Sequence, residues 1–350
     1  MIKINSLFDN NLYSQSNSLK DLCPKEFCDN DYEIFRNNLK PYSQKKLLEL
    51  QEKYPGLIIF PQDIRNSKDK IQKSILFSLD NEYLDDPKKT KIITSNLMGF
   101  FGIKNAEIHI HSRFDEKYKN DNFLHYMLAR VFYPNVVDLP HSTTDNGNLN
   151  LLIFAFPIFL YKAIQQGVYK EYKTEKYNNP NVHGIVDIKR QLRLNIPFNG
   201  NIAYKTREYS TDNYTTQLIR HTIEYIKTTE FGAALLEQIE EMKNAINIIN
   251  QITSTYNRNN RLFILSKNLN SKINSFYSEY LPLQKLCIQI LRYECIDFVG
   301  KNDGLYGILF DGAWLWEEYL NTILNELELV HAENNNQING IKLFADRNYF

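Results

Sequence analysis

Two adjacent carboxylates, Glu317 and Glu318, lie in a segment whose order of elements is typical of metal-dependent nuclease cores. An apolar run at 305–310 is followed by a turn at Asp311-Gly312, by an amphipathic helix with both tryptophans, and by a polar turn and a short strand. A carboxylate that such a helix directs beneath a sheet is a candidate for binding Mg²⁺. The segment therefore favours phosphodiester hydrolysis as its chemistry.

Glu317 is the better candidate of the two carboxylates. The apolar residues of the helix recur at spacings of three and four and define one face: Ala313, Trp316, Leu320, Ile323, Leu324 and Leu327. Glu317 borders this face, whereas Glu318 points nearly opposite. The alternative is an ordinary carboxylate at a helix edge, favoured there by the helix dipole, and spacing by itself favours that alternative.

A nuclease of the PD-(D/E)xK type needs an acid at a strand end and a (D/E)xK triplet on the next strand, so that two acids hold Mg²⁺ and the lysine positions water. Matching triplets include Asp115-Glu116-Lys117, Glu171-Tyr172-Lys173 and Asp187-Ile188-Lys189. A chain with this many acids and lysines produces such matches by chance, and none of them follows the terminal helix.

A basic cluster surrounds a predicted β-hairpin and has Tyr204 and Tyr209 beside it; its members are Lys189, Arg190, Arg193, Lys205 and Arg207. Basic residues interleaved with aromatic rings can follow a phosphate backbone. The same composition occurs on solvated surfaces. The cluster is a candidate for contact with a nucleic acid or a protein partner.

Two histidines are the strongest transition-metal signal, although an incomplete one. His109 and His111 alternate with Ile108 and Ile110, so that both imidazoles lie on one face of a predicted strand. No third ligand is evident, and histidines facing solvent or an interface are expected. Cys23 and Cys28 have no second cysteine pair beside them, so zinc is not expected there either.

Several classes of protein are disfavoured. The chain has no GxxxxGK[ST] loop, no GxGxxG after a strand, no HExxH and no GxSxG. Lys+Arg and Asp+Glu are equal at 41 each, which is unusual for a free-standing nucleic-acid binder.

The sequence shows neither an export signal nor a segment that would span a membrane. The N-terminus has no signal-peptide core, and the apolar run at 149–161 is short and contains Pro157. A cytoplasmic protein without a membrane segment is expected.

The elements that position these residues indicate an α+β chain. Strands are predicted at 57–60 and within 75–114, and a hairpin within 178–207. Helices are predicted at 31–54, from 123 to about 172, over 215–256 with a break near Gly232, and at 278–293. The predicted architecture is a β-containing N-terminal region, a helical middle with a β-hairpin, and the truncated start of a PD-(D/E)xK nuclease α/β core.

Longer strings carry a more specific signal. They are IHSRFD at 110–115, FLHYMLARVF at 123–132, the segment 166–226, YSEYLPLQKLCIQILRYE at 277–294 and GILFDGAWLWEEYLNTIL at 307–324. From about residue 95 onward the chain resembles the McrC-like subunit of LlaJI-type restriction endonuclease systems, in the McrBC 5-methylcytosine restriction family.

The resemblance implies a McrB-like AAA+ GTPase as partner, GTP bound by that partner and not by this chain, and double-stranded DNA contacted through the complex. It implies Mg²⁺ for the complete nuclease, and of the family's acidic positions it carries over only Glu317. It also implies three parts: 1–117 for docking on the GTPase, 118–300 as a mostly helical middle domain, and 301–350 as the beginning of the nuclease domain.

The sequence departs from the family pattern at its end. The family's Arg-Tyr-Pro-Asp-Phe-like and Asp-Ala-Lys-like elements would follow the strand that ends at Phe350, and they supply the metal ligands. No nuclease metal ligand is identifiable in the chain. The expected function is a restriction endonuclease subunit; the alternatives are a non-catalytic regulator that stimulates the GTPase ring and an inactive remnant.

Overall fold

The predicted α+β class is confirmed by a computed structural model of the chain. It describes residues 2–13, 29–54, 56–61, 74–80, 90–104, 106–115, 121–133, 136, 147–269, 273–293, 304–326, 331–332, 341–344 and 347–349. The helices are α1 (Asp29–Leu39), α2 (Leu47–Lys53), α3 (Asn122–Phe132), α4 (Gly147–Gln165), α5 (Ile188–Leu194), α6 (Tyr214–Ile226), α7 (Glu230–Gln238), α8 (Glu240–Ile252), α9 (Arg261–Asn268), α10 (Tyr280–Tyr293) and α11 (Gly312–Glu326). The strands are β1 (Ile2–Phe8), β2 (Leu12–Tyr13), β3 (Leu57–Phe60), β4 (Phe77–Leu79), β5 (Ile92–Thr94), β6 (Leu97–Ile103), β7 (Ala106–His111), β8 (Glu171–Asn179), β9 (Ile185–Val186), β10 (Ile202–Ser210), β11 (Leu305–Asp311), β12 (His331–Ala332), β13 (Ile341–Phe344) and β14 (Arg347–Tyr349).

The chain divides into two compact units. The first consists of residues 1–157, 226–240 and 289–350, and the second of residues 158–225 and 241–288. The three sequence-based parts, with their boundaries after residues 117 and 300, remain a prediction about function.

The first unit is built on a five-stranded sheet in the order β1-β7-β6-β11-β3. β1 runs parallel to β7 and β11 runs parallel to β3, whereas β6 is antiparallel to both β7 and β11. The late strand β11 thus completes a sheet whose other strands all come from the first 111 residues.

Two glycines allow β6 and β11 to approach closely. Gly99 has a φ of +119° and Gly307 a φ of +134°, conformations that side chains rarely adopt. A Cβ at Gly99 would meet the carbonyl oxygen of Ile308, and one at Gly307 the carbonyl oxygen of Phe100. The pairing of these strands therefore depends on both glycines.

Both faces of the sheet are buried. Ile59, Phe101, Ile108 and Leu309 join α1 and α2 in one apolar cluster. On the other face the Phe60 ring stacks on Phe310 at 5.2 Å between centroids and contacts Phe132 of α3 at 5.4 Å. Side chains on either face of the central strands are consequently shielded from water.

The second unit contains a three-stranded sheet in the order β8-β10-β9, with helices α6, α8, α9 and most of α10. β8 and β10 pair along their full lengths, from Glu171 opposite Ser210 to Asn179 opposite Ile202. The helical face predicted for 278–293 is confirmed, because Leu283, Leu286, Cys287, Ile290 and Leu291 are all buried.

Two predicted helical boundaries are wrong. The helix expected to reach Tyr172 ends at Gln165, and β8 follows it; EYKTEKYNN alternates charged and polar residues without the apolar face that signals a strand. The region 215–256 forms three helices where one or two were expected; the break predicted near Gly232 is present at 227–229, and Gly232 itself lies inside α7. The Thr229 hydroxyl, which accepts a hydrogen bond from the Gly232 amide at 3.1 Å, caps that helix.

One helix among the described residues, α4, is long and apolar enough to cross a membrane. Most of its apolar length is buried inside the fold, as in a core helix. The prediction of a buried helix at 149–161 agrees with this burial.

Candidate functional site

A buried cluster of two imidazoles and one carboxylate lies on the second face of the main sheet. His109 and His111 project from β7 with their rings stacked at 4.2 Å between centroids. The carboxylate of Asp121 lies between them: its Oδ2 is 2.5 Å from Nε2 of His109, and its Oδ1 is 2.8 Å from Nδ1 of His111. All three residues are at most 6 % exposed.

The backbone of Asp121 is unusual for the start of a helix. Asp121 occupies the N-cap position of α3, where aspartate usually accepts a hydrogen bond from the first turn. Here it makes no such bond, its φ is +48°, and its carboxylate is turned to the histidines. A missing cap and a left-handed non-glycine residue each cost on the order of 1 kcal/mol, which contacts of the carboxylate must offset.

The charges of the cluster support one another. Burial lowers the pKa of His109, but the adjacent Asp121 carboxylate, with Asn148 and Glu107, outweighs burial and raises this pKa above its usual value. Burial likewise raises the pKa of Asp121, but the two imidazoles prevail and hold the pKa of that carboxyl well below its usual range. Asn148 of α4 also donates a hydrogen bond to Oε1 of Glu107 at 2.7 Å.

The sequence predicted that His109 and His111 face solvent or an interface and that no third ligand lies near them. Both parts of this prediction are wrong, because the two rings are buried and Asp121 lies between them. Alternation along β7 correctly placed both rings on one face, but it could not show that α3 and α4 cover that face. Asp121 was missed because the nine residues between it and His111 hid the contact. An aspartate directly before a helix was the available signal, and it was open to a plain capping role.

An ion pair between a buried carboxylate and an exposed guanidinium lies beside this cluster. The Asp9 carboxylate accepts a hydrogen bond from the Arg113 amide at 2.6 Å and lies 2.9 Å from its guanidinium. Burial raises the pKa of Asp9, and Arg113 opposes that shift. The Asp9 amide in turn donates to the carbonyl of His111 at 3.0 Å, so the pair fixes the end of β7.

The donor set does not suit Mg²⁺. His109, His111 and Asp121 form the one group of three or more potential metal ligands among the described residues. Two of its three donors are imidazole nitrogens, whereas Mg²⁺ takes oxygen ligands in octahedral geometry. The described residues therefore provide no fit for the Mg²⁺ that the resemblance implies.

The described triplets have structural partners of their own. Burial raises the pKa of Glu171, whose carboxylate accepts a hydrogen bond from Tyr169 at 3.4 Å, and Lys173 pairs with Glu175 at 2.9 Å. Asp187 caps α5 through the Arg190 amide at 3.3 Å. Glu116 and Lys117 lie outside the described residues, as do Cys23 and Cys28.

Glu317 is buried at 7 % exposure, and Glu318 is half-buried. The relative placement expected for the two carboxylates thus agrees with the structure. The apolar face of the helix was assigned incorrectly, because Ala313 is exposed and the fully buried residue is Leu315. Trp316 instead stacks on Phe114 at 5.2 Å. The catalytic role of Glu317 stays a prediction.

The five basic residues lie on α5 and β10, as expected around the hairpin, but they differ in their surroundings. Lys205 pairs with Asp187 at 2.8 Å and is the main reason why the pKa of that carboxyl is lowered. The Arg207 guanidinium lies over the Tyr172 ring at 4.7 Å. Arg190 is half-buried, whereas Lys189 and Arg193 are exposed.

Helix α5 exposes aliphatic side chains beside these cations. Ile188 is 69 % exposed and Leu192 58 %, one turn apart. No residue of α5 is buried; amide contacts hold the helix on the sheet. The side-chain Oε1 of Gln191 accepts a hydrogen bond from the Ala203 amide at 2.6 Å, and the side chain of Asn195, directly after α5, donates to Oδ1 of Asn178 at 2.8 Å. We call Ile188, Lys189, Leu192 and Arg193 the α5 surface.

Comparison with known proteins adds a family. The model of the McrBC 5-methylcytosine restriction system component family matches residues 92–347, more than half of the chain. No curated protein sequence matches.

Two solved structures are distantly similar. One is a cryo-EM structure of the Thermococcus gammatolerans McrBC complex, with 12 % identity, a TM-score of 0.35, and coverage of 95 % of this chain and 89 % of that one. The other is a refined half-complex from a tetradecameric assembly of Thermococcus gammatolerans McrB AAA+ hexamers with bound McrC, with 15 % identity, the same TM-score of 0.35, and coverage of 93 % and 71 %. The assignment rests on the family model: the chain belongs to the McrBC 5-methylcytosine restriction system component family.

Proposed function

We propose that this chain is the McrC-like subunit of a GTP-dependent restriction endonuclease, which associates with a McrB-like AAA+ GTPase to cleave foreign DNA. The observation that carries the proposal is the family match over residues 92–347. One of the two Thermococcus gammatolerans structures contains McrB AAA+ hexamers with bound McrC, and the same kind of association is proposed for this chain. The sequence has no phosphate-binding loop, so GTP is assigned to the partner.

Besides the docking predicted for residues 1–117, we assign a second contact with the GTPase to the α5 surface. Contiguous exposed apolar patches that are rimmed by polar residues mark interaction sites. On α5 the pair Ile188 and Leu192 lies beside the pair Lys189 and Arg193. A partner with an apolar patch edged by acidic residues would satisfy both pairs. Nucleic acid would use the cations but leave the aliphatic groups in water.

Reconstitution tests the proposal. The purified chain is mixed with the AAA+ GTPase of its own restriction system, and GTP hydrolysis and cleavage of methylated and unmethylated double-stranded DNA are measured with Mg²⁺. We expect complex formation, stimulated GTP hydrolysis, and DNA cleavage that requires GTP. A chain that neither binds nor stimulates the GTPase would refute the proposal.

Charge reversal tests the α5 surface. The double variant Lys189→Glu/Arg193→Glu should raise the concentration needed for half-maximal GTPase stimulation about tenfold, equivalent to about 1.4 kcal/mol. The matched control is Lys243→Glu/Lys267→Glu, because both lysines are exposed on helices of the same unit. If the α5 variant loses DNA affinity and keeps normal GTPase stimulation, the surface contacts nucleic acid instead.

A non-catalytic regulator is the second candidate function. One observation favours it: the described residues bring together no oxygen-rich donor set of the kind that Mg²⁺ needs. A regulator would stimulate GTP hydrolysis in the reconstituted complex without cutting any DNA substrate, whereas an endonuclease subunit would do both.

A further inference from the structure

We propose that His109, His111 and Asp121 bind one divalent transition-metal ion, best represented by Zn²⁺, and that this ion fixes β7 to the start of α3. The proposal is independent of the nuclease chemistry considered above. It starts from the convergence of two ring nitrogens and one carboxylate oxygen, all within 4.8 Å of one another. Three protein donors so close together, two of them imidazole, are a common zinc-binding set.

The cluster can open to the required distances. Zinc bonds of about 2.0–2.1 Å in tetrahedral geometry place neighbouring donor atoms about 3.3 Å apart. The carboxylate oxygens of Asp121 lie 2.5 Å and 2.8 Å from the imidazole nitrogens, so the two contacts must widen by roughly 0.8 Å and 0.5 Å. Small side-chain rotations provide that movement. The lone pairs of His109 Nε2 and His111 Nδ1 must then face the ion, with each ring proton on the other nitrogen.

The backbone supplies an independent observation. Asp121 has a φ of +48° and forgoes the helix-capping hydrogen bond that its position offers. A capping role would leave the residue in an extended conformation with its carboxylate on the first turn of α3. The strained conformation instead directs the carboxylate toward both histidines, as a ligand position requires.

The surrounding charges favour a cation. Glu107, His109 and His111 alternate along β7 and share one face, and Glu107 is 2 % exposed. Two buried carboxylates, Glu107 and Asp121, therefore lie beside two imidazoles. Asn148 orients Glu107 by donating to its Oε1 at 2.7 Å. A dication at the three donors would compensate these two carboxylates.

The chemistry of the donors selects the ion, and its burial indicates the role. Imidazole nitrogen suits Zn²⁺, Ni²⁺, Cu²⁺ and Fe²⁺, whereas Mg²⁺ and Ca²⁺ prefer oxygen. An oxygen-activating iron site needs open positions, but all three residues are at most 6 % exposed. A structural zinc ion, with water or a nearby side chain as fourth ligand, fits this burial best.

Metal analysis of the full-length chain, untagged and without partner or DNA, tests the proposal. We expect about one zinc ion per chain by inductively coupled plasma mass spectrometry. A chelator should lower the midpoint of thermal unfolding, and added ZnCl₂ should restore it. Replacement by Co²⁺ should give the visible ligand-field absorption of a tetrahedral N,O site.

Variants of the cluster test which residues bind the ion. Asp121→Asn and His111→Gln should lose the zinc ion. The control His183→Gln changes an exposed histidine of the other unit and should keep it.

Two outcomes would overturn the proposal. A folded wild-type chain without stoichiometric metal, without the Co²⁺ absorption, and with the same unfolding midpoint in chelator and in zinc would show an ordinary buried ion pair. Equal zinc content in wild type and Asp121→Asn would show binding elsewhere. If Asp121→Asn does not fold, the Co²⁺ spectrum and the chelator response of the wild type still decide whether the cluster binds a metal ion. None of these readouts depends on the GTPase partner, so failure here leaves the proposed function intact.

Discussion

Buried titratable side chains in this protein differ in how their charge is balanced. In the first unit His109 and His111 share the Asp121 carboxylate, which favours a positive charge on or between the rings. In the second unit His221 of α6 is 1 % exposed and lies 4.7 Å from the Tyr256 ring. Cations dominate its surroundings, because Arg261 and Arg220 outweigh Glu224. The same residue type thus has opposite electrostatic roles in the two units.

His221 should make the protein sensitive to acid. Burial, together with Arg261 and Arg220, lowers its pKa from 6.5 to about 4. The unfolded chain therefore binds the proton more tightly, so the stabilising contribution is complete above pH 6.5 and is lost as the pH falls toward 4. We expect the free energy of unfolding to fall by up to about 3 kcal/mol over this window.

Urea unfolding at a series of pH values, compared between wild type and His221→Leu, checks this expectation. The variant should show a flatter dependence between pH 4 and 6.5. His183→Leu is the control, because His183 is exposed in the same unit. Identical pH dependence of all three proteins would contradict the role given to His221.

At the scale of elements, the sequence predicted most strands and helices of the first unit. β3, β7, α3 and α11 follow from runs of apolar residues at strand or helix spacing. β8 did not, because its stability comes from pairing with β10 and its own side chains have no apolar face. The His109–His111–Asp121 cluster was half predictable: alternation gave the two histidines, but only the tertiary structure could supply Asp121.

The close pairing of strands β6 and β11 can be tested by substituting one of the glycines that allow it. Gly307→Ala adds a methyl group against the Phe100 carbonyl oxygen at a φ of +134°. Strain and collision together should lower the free energy of unfolding by about 2–4 kcal/mol. Gly167 has a similar φ of +104° but nothing within 4 Å, so Gly167→Ala should cost only about 1 kcal/mol. Equal losses in denaturant titrations would show that the strand contact adds nothing.

At the scale of the whole molecule, the family match crosses the boundary between the two units. Residues 92–347 include parts of both the main sheet and the β8-β10-β9 sheet. A function assigned through the family therefore draws on both units and not on either unit by itself. The proposed partner contact, on α5, and the proposed metal ion, beside β7, accordingly belong to different units.

Glu317 distinguishes the two proposed functions in the assembled complex. It is buried near the start of α11, which begins directly after β11. Glu317→Gln preserves side-chain size but removes the charge. If the complex is an endonuclease that uses this carboxylate, the variant should lower the rate of DNA cleavage at least about 100-fold, with GTPase stimulation unchanged, because the resemblance assigns GTP hydrolysis to the partner.

The control is Glu318→Gln, which alters a half-buried carboxylate on the same turn and should leave both activities unchanged. Circular dichroism and the unfolding midpoint would confirm that each variant is folded. Normal cleavage by Glu317→Gln would remove this residue from the catalytic site. Stimulated GTP hydrolysis without cleavage in the wild-type complex would instead identify the chain as a regulator, because a subunit can couple to the GTPase through α5 without a nuclease centre.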